Sequence, residues 1–97
     1  MEVKVMKTTI IGLPQYSISV DDVMVTLETF GVAYEHCVNK LISAKYQSDK
    51  MQAVINNYLE DPSNTAYIEE FRAIQEWRKI AKEASKEAVN IFNSQKQ

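Results

Sequence analysis

From Val20 to Ala44 apolar residues recur every three or four places, at Val20, Val23, Leu27, Phe30, Tyr34, Cys37, Leu41 and Ala44. A second series runs through Tyr67, Glu70, Ile74, Trp77, Ala81, Ala84, Ala88 and Ile91, with Glu70 its only polar member. Steps of three and four stay close to the helical turn and draw one narrow stripe along a helix, which must be buried against another stripe. The pattern predicts an all-α fold. It reads as a long antiparallel helical hairpin or a three-helix bundle, coiled-coil-like in its packing and self-associating, preceded by a short N-terminal strand or extended arm.

The boundaries follow from local chemistry. Val3, Val5, Thr8, Thr9, Ile10 and Ile11 make residues 1–18 an arm or strand closed by Gly12 and Pro14. With no second strand read from the pattern, this strand needs a partner's sheet, its own copy or the helix surface. Ser19 is a candidate N-cap, Asp21 and Asp22 suit a first helical turn, and Ile18 with Val23 has the spacing of a hydrophobic staple. A helical domain over 19–93 follows. Its first helix spans about 20–59, either continuous, with a kink at Gly31 or Ser48, or broken near 47–48 with Ser48 and Asp49 as a new cap. Asp61-Pro62 ends that helix and starts the next, because proline disfavours a helical residue before it and suits a first turn. The last helix covers about 63–92, and 94–97 form a frayed tail.

Length and charge narrow the partners. A chain of 97 residues makes one domain with a thin core, which favours burial against a second molecule. Eleven Lys and Arg against 13 Asp and Glu give a net charge of −2, which argues against a polyanionic partner. One cysteine and one histidine exclude an internal disulfide and a zinc cluster. The N-terminal stretch has no apolar run of signal-peptide length and nothing approaches a membrane span, so the expected compartment is the cytoplasm with no membrane partner.

Chemistry is sparse. His36 and Cys37 are adjacent, and helical neighbours point about 100° apart, so they do not form a nucleophile–base pair. There is no Glu-x-x-His pair for a di-metal site and no glycine-rich phosphate loop. No catalytic, cofactor-binding or metal-binding residue is assigned, and no enzymatic activity is expected. The candidate partner-binding residues are Phe71, Trp77, Arg78, Ala81, Ala84 and Ala88. The small residues admit a closely packed helix, from a partner or from the chain itself. Trp77 and Phe71 are either an interface hot spot or core, and Arg78 would sit on the polar rim. Arg78, Lys82 and Lys86 also form a basic row within 78–86, interleaved with Glu83 and Glu87.

The length and hairpin pattern resemble those of small secreted helical-hairpin proteins of the WXG type. The turn Asp61-Pro62-Ser63-Asn64, however, has no Trp-x-Gly, and Trp77 is mid-helix, so the chain is not placed there. The expected function is a non-enzymatic protein–protein interaction module: an adaptor, a small inhibitor of a larger enzyme or an assembly subunit. It would bind another protein and itself through a helix face, and a partner's sheet through its strand. The alternative is a nucleic-acid-binding accessory protein using the row 78–86.

Overall fold

The computed structural model describes residues 2–10, 12–27 and 32–95. Phe30 and Gly31, the seam residue and candidate kink named above, lie outside the described residues, as do 96–97 of the expected tail. The chain runs β1 (Val3–Ile10), β2 (Leu13–Val20), β3 (Val23–Leu27), α1 (Tyr34–Lys45), α2 (Ser48–Glu60) and α3 (Thr65–Gln95). The fold is therefore α+β and not all-α: a three-stranded antiparallel meander, ordered β1-β2-β3, precedes three helices.

The correction turns on residues 13–27. Val20, Val23 and Leu27 satisfy a helical period, but Tyr16, Ile18 and Val20 and then Val23, Val25 and Leu27 alternate with a period of two. The alternating set is the one that is buried: Tyr16, Ile18, Val20, Val25 and Leu27 all lie in the core. Asp21 and Asp22 are not a first helical turn. They form the two-residue link between β2 and β3, and Asp21 takes the left-handed φ of 54° that such hairpins require. Gly12, at φ 77°, serves the β1–β2 link in the same way. Pro14 does not close the first segment; it belongs to β2, opposite Thr9. The strand over 3–10 thus has its neighbour within the chain.

Register places Val3, Val20 and Val23 in one row across the sheet, and Val5, Ile18 and Val25 in the next. That face packs on α1 and on the C-terminal half of α3, where Ala81, Ala84, Ser85 and Ala88 show no exposed surface. Small side chains let the layers approach closely. Tyr16 meets Phe92 edge-to-face, with ring centroids 5.0 Å apart, and closes the core at the C-terminal end of α3.

Of the two readings of 20–59 the broken one holds: α1 begins at Tyr34, not near 20, and Tyr46 and Gln47, both extended, separate it from α2, whose N-cap is Gln47 with Ser48 and Asp49 as its first residues. Neither glycine nor proline marks this break. Its effect is a change of phase. In an unbroken helix Leu41, Ala44, Ser48, Met51 and Ile55 would share one face; instead Ala44 and Ser48 are exposed and Val54 is the buried residue of α2. The break lets α1 and α2 each turn an apolar face to α3.

At the next boundary α3 starts at Thr65 rather than near 63, and its N-cap is Asn64. Its Oδ1 accepts from the Ala66 and Tyr67 N–H groups at 3.0 and 3.3 Å. Pro62 and Ser63 lie in the turn, and α3 runs 31 residues, through position 94 to Gln95. At 1.5 Å per residue α3 is about 46 Å long, which accounts for most of the molecule's 52 Å long axis. The sheet covers its C-terminal half, α1 reaches from there to Trp77, and α2 packs along its N-terminal half.

Candidate interaction surfaces

The sequence-selected residues divide by depth. Trp77, Ala81, Ala84 and Ala88 are buried in the chain's own core, so their packing is spent on α1 and the sheet. The Trp77 indole N–H donates to the Leu41 carbonyl at 2.9 Å, and Lys45 Nζ stands 4.6 Å from the ring centroid. Phe71 is half-buried and stacks on Tyr58 of α2, with centroids 4.4 Å apart and planes inclined by 11°. Arg78 is half-buried, while Lys82 and Lys86 are exposed. Only Phe71 and Arg78 of the six offer surface to a partner.

Lys82 and Lys86 line two adjoining depressions that share Tyr34. One, of about 360 Å³, is bounded by Tyr34, Lys86, Val89 and Asn90. The other, of about 340 Å³, is bounded by Tyr34, Glu35, Val38, Asn39 and Lys82. Both are open grooves between the start of α1 and the C-terminal half of α3.

The far end of the α2/α3 hairpin exposes apolar surface that the seams did not single out. Leu59 is 69% exposed, and Ile55, Tyr58, Ile68 and Phe71 are half-buried. At 100° per residue on antiparallel helices, Ile55 and Leu59 of α2 fall on the same side of the hairpin as Ile68 of α3. No sheet covers that side. Ile55 continues the phase of the first series beyond Ala44, but Leu59 and Ile68 fall outside both series, so nothing in the period marked them.

Among the described residues, the buried Ser85 Oγ and His36 Nε2 have no hydrogen-bond partner. Cys37 has no exposed surface, and burial pushes its thiol up to about 11, the reverse of an activated nucleophile. Among the described residues no group of three or more His, Cys, Asp or Glu side chains could hold a metal ion, and no helix is long and apolar enough to cross a membrane. No family model matches the chain, and neither does any curated protein or solved structure.

Proposed function

We propose that the chain is a non-enzymatic protein-interaction module whose working surface is the far end of the α2/α3 hairpin. The observation that carries this reading is Leu59, a large apolar side chain 69% exposed beside half-buried Ile55 and Ile68 on a two-helix layer. Scattered exposed leucines are ordinary, but a row continuing across two helices is the kind of patch that partners cover. The rim has an acidic excess, with Glu60, Asp61 and Glu69 exposed around it against Arg72 one turn from Ile68, so the surface suits an apolar partner segment with mainly basic flanks.

The nucleic-acid reading is the weaker one. Its basic row has Arg78 half-buried and exposed Glu83 and Glu87 beside it, in a chain of net charge −2.

The test is proximity cross-linking of the intact protein in its native extract, comparing wild type with a Leu59→Ser, Ile68→Ser variant. Specific partners that disappear with the variant, at unchanged far-ultraviolet circular dichroism, support the reading. The same captured set from both proteins overturns it.

A further inference from the structure

We infer that α3 carries a self-complementary charged ridge through which two copies of this chain associate antiparallel; the inference stands apart from the hairpin-end reading above. Glu69, Arg72, Glu76, Lys79, Glu83 and Lys86 follow one another at steps of three and four, so they form a single row, and all six are exposed. Their signs alternate along it. Such alternation ordinarily serves pairs within the helix, yet among the described residues none of the six forms an ion pair within 4.0 Å.

Laid against a second copy running the other way, the row matches throughout. Glu76 meets Lys79 of the second copy, Arg72 meets Glu83, and Glu69 meets Lys86, and two-fold symmetry repeats each pair. A parallel arrangement would set each charge against its like. In the same antiparallel register, exposed Ala73 lies near half-buried Ile80 of the second copy on one flank of the ridge, giving a small apolar contact beside the charges. At 100° per residue the ridge lies on the side of α3 opposite Ala81, Ala84 and Ala88, so all six charges stand clear of the sheet and α1 that pack on those residues.

Exposed ion pairs fix orientation more than they add affinity, so the complex is weak and salt-sensitive, with a dissociation constant on the order of 10 μM to 1 mM. Sedimentation equilibrium of the full chain at low and high salt tests it, using wild type, Glu76→Lys, Lys79→Glu and an equimolar mixture of the two variants. Each variant alone places like charges together twice and weakens association about tenfold. The mixture restores opposite charges at both contacts and recovers wild-type association. If either variant fails to fold by circular dichroism, Arg72→Glu and Glu83→Arg repeat the same cross. Leu59→Ser, off the ridge, associates as wild type does. A wild type that stays monomeric at about 1 mM, variants that associate unchanged, or a mixture that does not recover overturns the inference.

Discussion

The indole N–H of Trp77 donates to the main-chain carbonyl of Leu41 across the α1–α3 interface, at 2.9 Å and out of contact with water. The bond joins the middle of α3 to the C-terminal end of α1, just before the two extended residues that break the long helix. Lys45, in the last turn of α1, stands over the same ring and suits the negative end of the helix dipole. Trp77 thus anchors the point where α1 ends and the chain changes phase. Trp77→Phe keeps the aromatic packing and removes the donor, and should lower stability by about 1–2 kcal/mol. Urea unfolding followed by circular dichroism measures it. An unchanged midpoint would mean the hydrogen bond adds nothing beyond packing.

Ser85 presents the opposite case, a buried hydroxyl with no partner among the described residues. Removing it deletes an unsatisfied polar atom and improves helix propensity, so Ser85→Ala should raise stability by about 1 kcal/mol. A lower urea midpoint would show that the hydroxyl has a partner after all.

Ala84, with no exposed surface, sits where α3 meets the rest of the core. Ala84→Leu inserts side-chain volume with nowhere to go and should cost about 1–3 kcal/mol. Thermal denaturation decides it, and a neutral result would place position 84 toward water.

Gly12 takes a φ of 77° and an added Cβ would meet nothing within 4 Å, so any cost there is purely one of backbone conformation. Gly12→Ala should destabilise by about 1 kcal/mol, and Gly12→Asn by less, because asparagine tolerates the left-handed region. Equal losses for the two would point away from the dihedral as the cause.

Cys37 should resist a thiol reagent at neutral pH in the native protein and react on unfolding. Burial raises its pKa from 9.0 to about 11, so the folded state disfavours the thiolate that the unfolded chain forms more readily. Stability from this group is therefore complete below pH 9 and falls as pH rises toward 11. Labelling rates measured beside unfolding midpoints across that range test it, and rapid labelling of folded protein would contradict the burial.

The last third of the chain was legible in its residues, because a helical period sustained over about seven turns leaves α3 little alternative. Ile74, Trp77, Ala81, Ala84 and Ala88 form its buried stripe, as that spacing implies. The hairpin-end surface was not legible, since Leu59 and Ile68 become a patch only when α2 and α3 lie side by side.

What the chain alone determined is its long final helix, the turn at residues 61–64 and the absence of a glycine or proline punctuating the middle. What tertiary structure decided is the state of residues 13–27. There Val20, Val23 and Leu27 fit a helix and a strand equally well, and β1 resolved the choice by offering β2 a ladder of backbone hydrogen bonds. The same holds for the break at Tyr46 and Gln47: Ser48 and Asp49 allowed it without requiring it, and it turns both Leu41 and Val54 toward one helix. A short apolar period is ambiguous on its own; the surface that buries it selects the conformation.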